Sequence, residues 1–441
     1  MTTDIDGSND SMKVAWRPCK RASVYEVTFL LLVVLGVPVG TLGGNEMTWP
    51  CFHGPRRDNL ATDKGLLQTW PQDGPPLLWT ASGIGHGYSS VSIAAARIFT
   101  AGMIDKQTYV TAVDLTGKKL WQRLNGQSWE ASERQPWAVP YSGSRGTPTV
   151  DGEIVYHLSE MGRLTAFDIR TGQERWHVDV LKTFAAERPK YGLSESVLIH
   201  GDALFCCPGG ADGYVVALHK ETGRTLWANS EIKDPVGYCS PVVARIDDVE
   251  QVISMSANRV FSFDPQNGRI LWDYPFGNER GNSATDVIVS DGRVYASTGY
   301  GGGSVLLQPQ RQVNGDFAVR VVWTSELLDN HHGGVLLFNG RLYGAGHESR
   351  GWFCLDFSTG RKMWQVRGKG SLTYADGRLY CLDERGTMAL VKATDDKWEA
   401  VGSFRLPPGG KGPYWAHPVV CGGRLYVRHS DTLFAYDIRS D

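Results

Sequence analysis

The chain is 441 residues long, 41% hydrophobic and 21% charged, with a formal net charge of −2. That composition belongs to a folded globular protein, and a near-neutral charge with no basic stripe beyond the N-terminus argues against nucleic acid as a partner. The cysteines at 19, 51, 206, 207, 239, 354, 381 and 421 form no CxxC or CxxCH spacing, which argues against a zinc ribbon and a covalent haem.

Residues 1–23 form a basic N-terminal region, with Lys13, Arg17, Lys20 and Arg21 ahead of an apolar run, VTFLLLVVLGVPVGTLGG. A basic head, a hydrophobic stretch and then small residues make an export signal. Segment 24–44 also suits a membrane anchor, so cleavage and retention both stay open. Met12 rivals Met1 as the start, because MKVAWRPCKR makes a more ordinary signal head. Segment 45–75 has Pro and Gly punctuation and no clean period. It is expected to lie on the domain as a strap anchored by Trp49 and Phe52, with Arg56 and Arg57 solvated or paired with surface acids.

From residue 76 onward one phrase recurs. AVDLTGKKLW ends at Trp121, AFDIRTGQERW at Trp176, ALHKETGRTLW at Trp227, SFDPQNGRILW at Trp272 and CLDFSTGRKMW at Trp364. With Trp79 and Trp323, the closing tryptophans stand about 41–55 residues apart. EIVYHL and RLTAFDI alternate in polarity between Gly and Asp turns, which predicts about four short antiparallel strands per unit. The Asp-x-x-Thr-Gly element is a hairpin turn: its Gly supplies a positive φ, and Asp168 accepts hydrogen bonds from turn amides. Units of this size and content are propeller blades.

Eight unit starts run from SVSIAAARIFT to PVVCGGRLYV. In the seventh unit the Thr-Gly turn is lost and Phe404 is read as replacing the Trp. The last unit stops at AYDIRSD without an outer strand, whereas PLLWTAS around Trp79 is an outer strand with nothing before it. Pairing the two completes an eighth blade and leaves no free edge. The expected fold is all-β: an eight-bladed propeller of four-stranded antiparallel blades over 76–441. Trp79, Trp121, Trp176, Trp227, Trp272, Trp323 and Trp364 are expected to wedge between blades.

Residues leading into the innermost strands gather around the channel in such a fold. Here they are Tyr88 and Ser89, Arg145 and Thr147, Glu195 and Ser196, Tyr238 and Ser240, Asn282 and Thr285, His331 and His332, Trp415 and His417. Tyr88, Arg145, Glu195, Tyr238, His332, Trp415 and His417 form the candidate ring for a small polar ligand, a sugar or a peptide end. The alternative is that these side chains hydrogen-bond adjacent strand ends. His331 and His332, read as strand neighbours, face apart and do not easily share a metal with His417; only a loop conformation would permit it. No metal site and no catalytic residue is expected. TGYGGGSV (298–305) lacks the Lys-Ser/Thr ending of a phosphate loop and reads as part of a long hairpin. Cys206 and Cys207 read as strand residues on opposite faces.

The AFDxxTGxxLW phrase resembles the quinoprotein repeat of pyrroloquinoline quinone (PQQ) dehydrogenases and of BamB-type outer-membrane assembly scaffolds, over about four-fifths of the chain. WPCFHGPRRDNLATDKGLL, GHGYSS, YCSPVV and NHHGG are similar to segments of exported PQQ-like propellers of planctomycete-type bacteria. The dehydrogenase side of the resemblance implies PQQ with calcium or a lanthanide held by a Glu, an Asn and an Asp. It also implies an Asp base, an Arg, a Trp under the quinone and a vicinal disulfide above it. Apart from Cys206–Cys207 that set is not assembled at matching positions. The expected function is an exported, non-catalytic, monomeric binding or assembly scaffold at the cell envelope, touching the membrane only through its N-terminal segment. Its expected partner is an envelope protein, a small polar ligand or a glycan, and no cofactor is expected. A PQQ- and calcium-dependent dehydrogenase and a carbohydrate-binding or carbohydrate-acting propeller are the alternatives.

Overall fold

The computed structural model describes residues 47–131 and 136–440; segment 24–44, expected from its sequence to be an export signal or anchor, lies outside the described residues. Eight four-stranded antiparallel sheets follow one another as blades 1 to 8, with seven built from consecutive strands. Blades 1 to 7 span 92–127, 149–179, 198–229, 242–275, 288–325, 335–367 and 370–405. Blade 8 combines 419–437 with strand Leu77–Ser82. There Trp79 pairs with Ala435 and Thr80 with Phe434, so the two ends of the chain close the ring in one sheet. Apolar clusters sit between neighbouring blades, as where Phe99 and Ala101 of blade 1 meet Val155 and Phe167 of blade 2.

The recurrent phrase works as its chemistry predicts. Gly172 has φ 67°, and Asp168 Oδ1 accepts the amides of Arg170 at 3.1 Å and Thr171 at 3.0 Å. The turn also receives the preceding blade's tryptophan. Trp79 Nε1 donates to Leu115 O, Trp121 to Ile169 O, Trp176 to Lys220 O, Trp227 to Pro265 O, Trp323 to Phe357 O and Trp364 to Thr394 O. A Cβ on Gly172 would lie 2.6 Å from the Trp121 ring, so glycine is needed for close approach as well as for φ. Trp272 differs, donating to Gln251 Oε1 of its own blade at 2.7 Å. Blade 5 has no Thr-Gly turn to receive it; its outer strands form a long hairpin, Gly303–Arg311 with Phe317–Ser325.

Blade 7 corrects the sequence reading. In the other blades the Trp faces the third-strand residue just before a bulge, as Trp121 faces Ala112 and Trp364 faces Cys354. In blade 7 that third-strand residue is Leu390, and its partner is Gly402 rather than Phe404. The missing indole comes from the strap: Trp70 lies over Gly402 and reaches Tyr380, as Trp364 reaches Tyr343.

The first part of the strap does not rest on the surface. Trp49 pairs with Ile93 of blade 1, Pro50 O accepts Val150 N of blade 2, and Leu60 pairs with Tyr374 of blade 7. Arg57 donates to Ser196 and Val197 O before blade 3 and to Pro241 O before blade 4. His53 meets Asp286 before blade 5 and His417 before blade 8. A Cβ on Gly334, before blade 6, would lie 3.3 Å from His53 Nε2. Segment 49–60 is therefore an axle that reaches every blade. Arg56 is exposed and paired with Asp58, but Arg57 is 9% exposed, against the expectation of a solvated side chain.

Candidate functional site

Two tiers of side chains line the upper channel. The lower tier is a belt passed from blade to blade. Ser90 N donates to Thr147 Oγ1 (2.9 Å), Thr147 N to Ser196 Oγ (2.9 Å), Ser196 N to Ser240 Oγ (3.0 Å) and Ser240 N to Asp286 Oδ1 (2.6 Å). Thr285 Oγ1 donates to Asn330 Oδ1 at 2.7 Å, and Ser90 Oγ to His417 O at 2.7 Å. These hydroxyls and carboxylates satisfy amides that the inner strands leave unpaired, and that fixes blade spacing around the axis.

Glu195 and His417 belong to this tier. Glu195 is 4% exposed and its Oε1 accepts Cys207 N at 2.8 Å. His417 Nδ1 shares a 2.9 Å hydrogen bond with His53 Nε2, and its Nε2 bonds to His332 O at 2.7 Å. Burial pushes the Glu195 carboxyl up to about 7 and that of Asp286 up to about 6, with Arg57 offsetting part of each rise. Burial also holds His53 well below its ordinary range and His417 down to about 4.

The upper tier is an aromatic mouth. Tyr238 packs on Tyr191 (6.2 Å between centroids), Tyr191 on Trp129 (6.0 Å), and the Arg145 guanidinium lies 4.7 Å from the Trp129 ring. Arg145 Nη2 donates to Tyr141 O (2.6 Å), and Tyr141 stacks on Trp415 at 5.0 Å and 10°. Trp415 continues to Tyr88 (5.3 Å), His332 (4.4 Å) and His331 (6.2 Å). His331 meets Tyr300 at 4.8 Å, over which Arg280 lies at 5.6 Å. The rim thus runs from blade 4 through blades 3, 2, 8 and 6 to blade 5. Of the seven candidate residues, Tyr88, Arg145, Tyr238, His332 and Trp415 meet here, while Glu195 and His417 lie beneath.

The Glu384 carboxylate faces this rim within hydrogen-bond reach. Glu384 Oε1 accepts from Trp415 Nε1 (2.7 Å) and His332 Nε2 (2.9 Å), with Lys369 Nζ at 3.2 Å. Burial raises that carboxyl, but the His332 hydrogen bond, Lys369 and the Trp415 hydrogen bond outweigh it and keep it ionised. Burial keeps His331, His332 and His347 below their ordinary range. His331 and His332 sit in a loop ahead of strand Val335–Phe338, not on a strand as read from sequence. No group of three metal-ligating side chains forms among the described residues.

A family described as outer membrane protein assembly factor BamB matches residues 106–366. The chain belongs to this family. BamB of Burkholderia pseudomallei is 25% identical over 254 residues, covering 49% of this chain and 63% of that protein. The quinoprotein alcohol dehydrogenase PedH of Pseudomonas putida is 23% identical over 153 residues, 32% of this chain and 25% of PedH. The chain thus spans between a quarter and under two thirds of these relatives. In fold, it matches BamB from Moraxella catarrhalis (TM-score 0.59, 15% identity, 82% of this chain and 100% of that one). It also matches quinohemoprotein alcohol dehydrogenase from Comamonas testosteroni (TM-score 0.60, 14% identity, 89% and 80%).

Membership of the BamB family beside quinoprotein relatives raises PQQ, and the mouth does not fit it. Trp415 is already packed against four side-chain rings and its N–H is committed to Glu384. Trp129 is 4% exposed beneath Arg145. Cys206 ends strand Ala203–Cys206 and packs into the cluster toward blade 2, while Cys207, just past the strand rather than on it, packs into the one toward blade 4; both are buried free thiols. Neither the quinone platform nor the cover above it is formed by these residues.

Several site residues escaped sequence reasoning. Trp129 and Tyr191 lie on loops between blades and Tyr141 ends the short 3-10 helix Pro136–Tyr141, where no strand period marks them. Tyr300 lies in the glycine run that makes the hairpin turn between strands Arg293–Thr298 and Gly303–Arg311, as the sequence reading expects, but its ring carries no strand signal. The signal available was aromatic enrichment in those loops.

Proposed function

We propose that the protein is an exported, non-catalytic propeller that serves as a monomeric binding scaffold at the cell envelope and engages its partner at the aromatic mouth. The observation that carries this reading is the rim of tyrosines and tryptophans above a channel crossed by its own strap. Large, rigid rings gathered at one rim supply binding energy at small entropic cost. Family membership supports the scaffold role, and the basic-then-apolar segment before residue 45 supports export, with the membrane touched only there.

The rival reading, a PQQ- and calcium-dependent dehydrogenase, draws on the PedH match. Reconstitution with PQQ and calcium, followed by quinone absorbance and dye-linked alcohol oxidation, separates the two. The scaffold reading expects neither stoichiometric uptake nor turnover. Saturable uptake at one equivalent with turnover overturns it.

A further inference from the structure

The mouth's charge selects its ligand. Arg145 is half-buried, and among the described residues its guanidinium bonds only to the carbonyls of Gly143 (3.2 Å) and Tyr141 (2.6 Å). Glu160 Oε1 holds the Arg145 backbone amide, at 3.0 Å. Among the described residues neither Arg145 nor Arg280 has a carboxylate within ion-pair distance, while Glu384 is balanced by Lys369. Burial lowers the pKa of the Arg145 guanidinium and the nearby Glu160 carboxylate offsets only part of that, so a planar fork of five N–H donors suited to a carboxylate stays under-compensated.

The ring geometry adds a second constraint. Tyr300 has φ 56°, a conformation that costs a residue with a Cβ, although Gly299 and Gly301–Gly303 flank it. That backbone carries the ring against His331, His347 and the Arg280 guanidinium. Burial raises the Tyr238 and Tyr300 phenols, so both remain O–H donors. A peptide strand finds little backbone to pair with here, because the axle occupies backbone groups in the inner strands of blades 1, 2 and 7 and just ahead of those of blades 3 and 4. Recognition falls to rings, hydroxyls and guanidinium forks.

Resting on the binding role above, the geometry points to a sugar ring bearing a carboxylate, one residue of a uronic-acid-containing glycan. Arg145 takes the carboxylate, Arg280 stands as a second cation at the rim, and Tyr238 and Tyr300 meet the ring's faces and hydroxyls.

The test is calorimetric titration of the full chain with three probes: trigalacturonic acid, its methyl ester and hexaglutamate. The acid trimer binds at one equivalent and weakens with salt, while the ester and the peptide bind at least about tenfold more weakly. Arg145→Gln lowers affinity for the acid by about tenfold or more, and Tyr300→Gly lowers it while leaving the melting temperature equal or higher. If Arg145→Gln fails to fold, Arg280→Gln and Tyr300→Gly carry the comparison. Equal binding of ester and acid, preference for hexaglutamate, unchanged affinity in the variants, or no binding of the acid each overturns the inference. PQQ uptake with turnover is the separate outcome that overturns the scaffold reading.

Discussion

Trp70 of the strap lies across Gly402 of blade 7, filling the position that a blade's own tryptophan takes elsewhere in the ring. A Cβ on Gly402 would lie 2.6 Å from Trp70 Cβ, so the glycine makes room for a side chain delivered from more than three hundred residues away. Trp70 also meets Phe404 at 5.3 Å and Tyr380 at 5.8 Å. Trp70→Ala is expected to cost about 3–5 kcal/mol in urea unfolding, as for a core Trp. Gly402→Ala is expected to destabilise by displacing the same indole, and the pair should be less than additive. Additive losses would mean that the two positions are not one contact.

Trp176 tests the ordinary blade junction. It donates to Lys220 O at 2.9 Å and covers Gly223 of the next blade. Trp176→Phe keeps a ring but drops the hydrogen bond, for an expected loss of about 1–3 kcal/mol; Trp176→Ala should cost about 3–5 kcal/mol. Thermal melts rank the two, and equal stability of all three proteins would remove the wedge role.

Arg428 clamps the closure of the ring. It is 1% exposed and its guanidinium donates to Gly85 O (2.7 Å), Ser89 O (2.9 Å), Thr100 Oγ1 (2.7 Å) and Ser430 O (3.2 Å), joining blade 8 to blade 1. Arg428→Met orphans these acceptors and is expected to cost about 3–5 kcal/mol. Faster hydrogen exchange in Leu77–Ser82 than in strand Val335–Phe338 of the same variant would locate the damage at the seam.

The buried carboxyl of Glu195 gives a pH signature. Burial lifts it to about 7 from an ordinary 4.5, so between those values the folded chain keeps a proton that the unfolded chain has released. Its contribution to stability is whole below the lower value and is lost as pH rises through the upper one. Glu195→Gln keeps an acceptor for Cys207 N and removes the charge. It should melt with the parent at pH 5 and be about 1–3 kcal/mol more stable at pH 8.5. A variant that is weaker at pH 8.5 would show that Arg57 fully compensates the ionised carboxylate.

Local chemistry made the blade legible in sequence. Asp168, Thr171 and Gly172 build their turn from contacts within five residues, and alternation sets which face of RLTAFDI is buried. Ring closure was legible too, because an incomplete unit at one end matched a lone strand at the other. The same logic failed at Gly402, where the Phe two positions later looked like a conservative replacement. No local signal connects Gly402 to Trp70.

The sequence by itself determined the all-β class, the number of blades, the pairing of the two ends and the polar character of residues approaching the channel. Those follow from periods, turns and strand complementarity, which act over a few residues or repeat many times. The tertiary structure decided which of those residues reach the mouth and which are consumed by the belt below. It also turned Arg57, His53 and Trp70 from strap residues into parts of the interior. Such outcomes depend on where an aperiodic segment passes through the ring, and the free energy that fixes its path comes from contacts with all eight blades together.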